Sequence, residues 1–512
     1  MALHRVAAAL VATAGFGICL NVFAAPDCAA MAKLALPDVF IKSAQVVPAA
    51  TPVPEYCKVL GTLEQTIQFE VALPTTQWNG KLFYAGGGGF NGSIPNLTQG
   101  LARGYAAAGS DTGHTGANSL AAAWALNNVQ AQINYGHRAT HVVAELSKQI
   151  LRRFYERNEQ RSYFVGCSNG GKMGLTELQK YPQDFDGVVV GNPVIDRKRL
   201  MMSYTYNARA LAPAPIPPQK IALLEKATLA ACDGRDGLVD GVIDSPAQCK
   251  VDLRALTCRG TDAADCFTAG QVAALEKIYN GPHDSKGNRL YPGFPPGHEG
   301  DYEAYITGRG ILNSRPSGQW SFQDGFMRYF VFGEKYDAVA DFNFDRDIAA
   351  FAPFEKDQDA AQTDLSTFKA RGGKLIMYHG WADHSITPLR TVQYYEDVRK
   401  VHGAGTADLA RLFMVPGMHH CSKGPGPNSF GGSGQGFSPR YEPEFDVVMA
   451  LDRWVEQGIA PQQIVATKYV NDDSKQGVAR TRPLCLYPQV ARYKGTGSID
   501  DAANFACATS AK

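Results

Sequence analysis

An α/β fold, built on a largely parallel sheet with helices on both faces, is the class this sequence predicts. Three observations carry the prediction. Short β-branched and aromatic runs alternate with helical segments along much of the chain. The pentapeptide Gly166-Cys167-Ser168-Asn169-Gly170 sits where one such strand turns sharply into a helix. A long irregular stretch then separates two runs of this alternation and reads as an insertion.

Taken in order, Gly80 to Ala85 reads as a strand running into Gly86-Gly87-Gly88-Gly89, and Gly104 to Ala108 as a second strand ending at Ser110-Asp111-Thr112-Gly113-His114. The spacing predicts a long helix over 139–155, closed by the basic turn Arg152-Arg153. Ser162 to Val165 is a short buried-strand pattern, and 171–178 reads as a helix that breaks at Pro182. Gly187 to Gly191, Lys374 to Tyr378 and Leu412 to Val415 read as further strands, with a helix near 391–401 between the last two. The stretch from Ile195 to Phe351 holds four cysteines, an Asp/Gly-rich loop, proline-rich turns and scattered aromatics. It is expected to form a lid over the strand ends. The expected organisation is a leader over 1–25, a core over 26–194, the lid over 195–351 and the rest of the core over 352–512.

Composition narrows the function classes. The 512 residues carry 50 Lys+Arg against 49 Asp+Glu with no long basic run, so neither nucleic acid nor a membrane surface is an expected partner. His4 and Arg5 precede an apolar run from Val6 to Leu20, and small residues at Val22, Ala24 and Ala25 suit signal cleavage. The protein is therefore expected to be secreted or periplasmic. Of the 11 cysteines, Cys19 would leave with the leader, and the even remainder suits five disulfides in an oxidising compartment. Close spacing favours Cys232–Cys249, Cys258–Cys266 and Cys485–Cys507 as local bridges.

The chemistry gathers around Ser168. A serine hydroxyl is a weak nucleophile and needs a base, itself oriented by an acid. In α/β-hydrolases these follow in the chain order Ser, Asp or Glu, His, each after a strand. Asp383, in Trp381-Ala382-Asp383-His384, and His420, in Met418-His419-His420-Cys421, satisfy order and placement. His419, His379 and His384 compete for the base role, and Asp111 for the acid. Cys167 directly precedes the candidate nucleophile and Cys421 directly follows the candidate base, so a bridge between them would clamp both loops. A Cys167–His nucleophile pair is the rival, but the oxidising compartment and the elbow's exposure of residue 168 argue against it. An oxyanion hole needs two donors. Asn169 N–H is the first candidate, and Gly88 N–H, with Gly87 close behind, the second. A phosphate cradle is unsupported because no Lys-Ser/Thr follows the glycines. Between Cys232 and Cys249, Asp233, Asp236 and Asp240 with intervening glycines can curl around a hard cation, and Leu238 and Val242 can add carbonyls, in a spacing unlike an EF-hand.

The paired Cys167-Ser168 and His420-Cys421, together with Gly86 to Gly92, Ser110 to His114 and Trp381-Ala382-Asp383, resemble the tannase/feruloyl esterase family over nearly the whole mature chain. The resemblance implies an α/β-hydrolase core with a large inserted lid domain and a Ser168–Asp383–His420 triad. It also implies bridges Cys28–Cys57, Cys167–Cys421, Cys232–Cys249, Cys258–Cys266 and Cys485–Cys507. A structural Ca2+ on Asp233, Asp236, Leu238, Asp240 and Val242 follows from it too. The expected activity is hydrolysis of feruloyl, other hydroxycinnamoyl or galloyl esters, small molecules with an aromatic acyl group. The alternative within the family is a mono(2-hydroxyethyl) terephthalate hydrolase, for which Arg315 and Arg328 are candidate carboxylate partners. A non-catalytic binding protein on the same fold is a remoter alternative. Ile386 is a candidate acyl-pocket wall, and Trp320, Phe326 and Tyr329 are expected in the lid core.

Overall fold

The computed structural model describes Met1 and residues 27–308 and 317–509. Residues 2–25 of the expected leader, and Arg315, lie outside the described residues. Nine strands form one sheet: β1 (Val39–Val47), β2 (Tyr56–Leu63), β3 (Ile67–Pro74), β4 (Lys81–Ala85), β5 (Ala106–Ser110), β6 (Arg161–Cys167), β7 (Gly187–Gly191), β8 (Lys374–Gly380) and β9 (Ala410–Val415). Their spatial order is β1-β2-β3-β5-β4-β6-β7-β8-β9. The run from β5 through β4 to β9 is parallel, and β1, β2 and β3 add an antiparallel extension that pairs to β5. The central strands are buried on both faces, as a parallel sheet clad by helices requires.

Helix α1 (Ala139–Tyr155) coincides with its predicted span and ends at a left-handed Glu156. Its buried side chains, including Val143, Ile150, Leu151 and Phe154, join one large core with Phe164, Val188 and Met377. Helix α2 (Asn169–Lys180) starts directly after Ser168. Helix α3 (Arg197–Leu211) carries the chain from the sheet into the lid. Helix α4 (Pro388–His402) links β8 to β9, and α5 (Val447–Gln457) covers the opposite face with Leu451 and Trp454.

Between β7 and β8, which pair directly, the chain leaves the sheet and builds a second core of its own. Phe326 and Phe330 stack there with centroids 5.1 Å apart, and Phe90 reaches in from the glycine-rich loop of the sheet domain. Among the described residues no helix is long and apolar enough to cross a membrane. All five expected disulfides are formed: Cys28–Cys57, Cys167–Cys421, Cys232–Cys249, Cys258–Cys266 and Cys485–Cys507.

Candidate active site

Ser168 stands between β6 and α2 with φ 63° and ψ −123°, a conformation costing on the order of 1–3 kcal/mol that the surroundings must hold. Backbone hydrogen bonds hold it: Ser168 N–H donates to Gly191 O (2.9 Å), and Val194 N–H to Ser168 O (3.2 Å). The flanking glycines are steric necessities. A Cβ on Gly166 would lie 2.4 Å from Gly170 O, and one on Gly170 would lie 3.0 Å from Gly86. The strand–turn–helix pattern therefore needs these glycines for close approach rather than for unusual torsions.

Asp383 follows β8 and is fully buried. Its Oδ1 accepts the backbone N–H groups of Ser385 (2.8 Å) and Ile386 (2.9 Å). Its Oδ2 accepts from His420 Nδ1 (2.9 Å), His379 Nε2 (3.1 Å) and Asn192 Nδ2 (2.6 Å). Burial alone would raise this carboxyl, but the His420 charge, the His379 and His420 hydrogen bonds and the His379 charge together hold it well below the usual carboxylate range. An ionised, immobilised Asp383 fixes the His420 ring with Nδ1 turned away from the cleft that Ser168 and His420 both line. The Cys167–Cys421 bridge, Cα–Cα 6.0 Å, ties the neighbours of these two residues across 254 positions of sequence.

The competing histidines are committed elsewhere. His379 is fully buried, with Nδ1 on the Thr391 hydroxyl (2.8 Å) and Nε2 shared between Asp383 and Ile386 O. His384 is fully buried against Asp301, and His419 does not line the cleft. Asp111 sits at the end of β5, where it accepts from the backbones of Gln68 (3.0 Å) and Gly113 (2.8 Å); burial pushes it up to about 6.

The cleft encloses about 600 Å³ between the sheet's carboxyl ends and the lid, within the usual range for a small-molecule site. All four glycines 86–89 line it. A Cβ on Gly87 would fall 1.6 Å from Asn91 Oδ1, whereas one on Gly88 would meet nothing within 4 Å, so Gly88 faces open space. Leu120, Tyr305 and Phe322 supply its apolar walls. Ile386 is not among the lining residues: it is buried in the lid core, and its neighbour Ser385 takes the position at the wall. Phe326 is core, as expected, while Phe322 and Tyr305 are lid aromatics on the cleft that the sequence did not single out. Arg328 bonds to Asp324 (3.2 Å) and Glu334 O (2.6 Å) and does not line the cleft. Asn192 on Asp383 was also missed, and His379, weighed as a rival base, instead supports Asp383. The only local signal for Asn192 is its place directly after β7, at the carboxyl end of the sheet.

In the Asp-rich loop, Asp233 accepts from Gly241 N–H (3.0 Å), Asp236 from Leu238 N–H (2.9 Å) and Asp240 from Val242 N–H (3.1 Å). Arg482 (2.8 Å) and Arg480 (3.2 Å) also bond to Asp240 Oδ2. Among the described residues no three acidic, His or Cys side chains stand gathered as metal ligands. Asp244, buried beside Asp236, has an Oδ2 with no hydrogen-bond partner. Three carboxylates, two carbonyls and this orphaned oxygen suit a hard cation in donor chemistry.

Replacing both Cys167 and Cys421 by alanine is expected to cost roughly 5 kcal/mol on the chain-entropy account of so long a closed loop. It should also lower kcat. Urea unfolding beside steady-state kinetics checks both effects.

The family model described as tannase and feruloyl esterase matches residues 51–508. An uncharacterized esterase of Xanthomonas campestris is 35% identical, covering 95% of this chain and 92% of its own. The mono(2-hydroxyethyl) terephthalate hydrolase of Piscinibacter sakaiensis is 32% identical over 90% of this chain and 86% of its own. The crystal structure of feruloyl esterase B from Aspergillus oryzae superposes with a TM-score of 0.84 at 26% identity, covering 94% of this chain and 100% of that one. By the extent of these matches the chain is a carboxylic ester hydrolase and belongs to the tannase and feruloyl esterase family.

Proposed function

We propose that the protein is an exported serine esterase that hydrolyses esters of aromatic acids through an acyl-enzyme on Ser168. The observation that carries this reading is the buried, fully hydrogen-bonded Asp383 behind His420, in the same cleft as the strained Ser168 elbow. His420 takes the Ser168 proton as Oγ attacks the ester carbonyl, and Asp383 steadies the resulting imidazolium. The N–H groups of Asn169 and Gly88 receive the oxyanion. His420 then gives its proton to the departing alcohol, and water activated by the same ring releases the acid. Support for export comes from the apolar leader and from ten cysteines paired in five bridges.

The cleft favours a neutral aromatic acyl group. Its described lining offers Phe322, Tyr305 and Leu120 as ring contacts and contains no Lys, Arg, Asp or Glu. Among those described residues a free terephthalate carboxylate finds no cation to offset its lost hydration. Methyl ferulate or methyl gallate is therefore expected to show a kcat/KM at least about tenfold above mono(2-hydroxyethyl) terephthalate, which equals roughly 1.4 kcal/mol of discrimination. The reverse ranking in parallel assays would transfer the reading to the terephthalate ester.

In the same reading Asp233, Asp236, Asp240 and the carbonyls of Leu238 and Val242 hold a structural Ca2+. Bound calcium adds stability by mass action, about 3 kcal/mol at a concentration 100-fold above its Kd. Chelation with EGTA should lower the unfolding temperature, and added calcium should restore it. An unchanged melting curve would remove the metal from the account.

A further inference from the structure

Four consecutive glycines, 86–89, give the loop beside Ser168 little conformational preference of its own, because each peptide can turn over at small steric cost. The loop's orientation must therefore be imposed by its neighbours: backbone bonds from Gly86 N–H to Val165 O and from Asn91 N–H to Gly88 O (both 2.9 Å) hold its ends, and side chains hold the rest. Asn169 Nδ2 donates to Gly87 O at 3.3 Å. The Tyr135 hydroxyl donates to Gly89 O at 2.8 Å and lies 3.1 Å from Asn169 Oδ1. Behind them Arg197, 2% exposed at the start of α3, donates from a terminal guanidinium nitrogen to Asn169 Oδ1. The Arg197 guanidinium lies 5.1 Å from the Tyr135 ring centroid, and its backbone N–H is held by Asp359 Oδ1 at 2.9 Å. An arginine only donates and a carbonyl only accepts, so both contacts fix the same amide orientation of Asn169.

We propose that Asn169, through its side chain, and Arg197 are positioning residues for the oxyanion hole. They form a relay from the Arg197 cation through the Asn169 amide to the Gly87–Gly88 peptide. In a trans peptide the C=O and N–H point in opposite directions. Holding Gly87 O on Asn169 therefore turns Gly88 N–H away from Asn169, at a residue that lines the cleft and whose Cα faces open space. The relay also strengthens that donor. Hydrogen bonds in series polarise one another, and a buried cation at the far end draws electron density along the chain toward itself. Arg197 thereby lends charge to the transition state without touching the substrate. The inference rests on the reading of Ser168 as the nucleophile.

The test compares wild type with Asn169→Ala and Arg197→Gln on methyl ferulate, with inhibition by phenylboronic acid, which forms a tetrahedral anionic adduct on a nucleophilic serine. Deleting an oxyanion donor outright costs about 10²–10³ in kcat, and a donor left in place but unsteered should cost less. Asn169→Ala should lower kcat roughly 30- to 100-fold with KM within about twofold, and weaken phenylboronic acid by a similar factor. Arg197→Gln, which keeps a donor but removes the charge, should lower kcat about tenfold. If Asn169→Ala does not fold, Arg197→Gln carries the test. A kcat within twofold of wild type in the folded variants would overturn the relay alone, as would a kcat loss with unaltered phenylboronic acid inhibition. Wild-type protein inert toward every ester would overturn the functional reading, and the relay with it.

Discussion

Replacing Asp383 by asparagine is expected to lower kcat about 10⁴-fold while leaving KM nearly unchanged. The size of the effect follows from the five donors on this one carboxylate. Oδ1 receives two backbone N–H groups and Oδ2 receives three side-chain donors, so neither orientation of an asparagine amide avoids setting NH2 against a donor. His420 would lose the acceptor that holds its Nδ1 proton, and with it the tautomer that leaves Nε2 able to accept from serine. The site is fully buried, so removing the charge also unbalances His379 and Asn192, and a stability loss of about 3–5 kcal/mol is expected. A pH titration of stability gives the sign. Because the folded-state pKa of Asp383 is lowered, its contribution is fully present above the ordinary carboxylate range, near 4, and is lost as pH falls from there. Urea unfolding at pH 7 and at pH 3 should therefore separate wild type from Asp383→Asn clearly at the higher pH, with the gap narrowing at the lower.

Much of the catalytic half of the molecule was legible because its information is local. The elbow is five consecutive residues between a strand and a helix, and α1 carries a regular apolar stripe from Ala139 to Tyr155. Asp383 and His420 each sit in the loop after a strand whose apolar run stands out. The cysteines beside Ser168 and His420 made the long-range pairing readable as well. The N-terminal strands β1 to β3 were not read. At the sheet edge β1 exposes Phe40 and Val46 and includes an irregular step between Ile41 and Ser43, so its residues lack a clean alternation.

The remainder was hidden because it depends on contacts distant in sequence. Asn192 lies 191 residues before Asp383, and no local pattern links them. Arg197 lies 28 residues after Asn169, in a segment read from sequence only as the start of the lid, with no link to the glycine loop. Two cleft residues were missed by narrow margins. Ser385 rather than Ile386 meets the cleft, and Phe322, two residues from Trp320 in a segment expected to be lid core, lines it beside Tyr305. Such choices depend on which face of a short segment the lid presents, and only the packed lid core decides that.

Ser168→Ala is expected to be the most severe change, lowering kcat by about 10⁵–10⁶ on any ester the wild type hydrolyses. The substitution removes only the hydroxyl. It leaves Asp383, His420, the oxyanion donors and the Cys167–Cys421 bridge in place, so the melting curve should stay close to that of wild type. The most direct test of the account compares the purified mature protein with Ser168→Ala on methyl ferulate, methyl gallate and mono(2-hydroxyethyl) terephthalate. The account predicts turnover of at least one neutral aromatic ester by the wild type and its disappearance in the folded variant. Undiminished turnover in Ser168→Ala, or no turnover of any of the three by folded, calcium-loaded wild type, would contradict it.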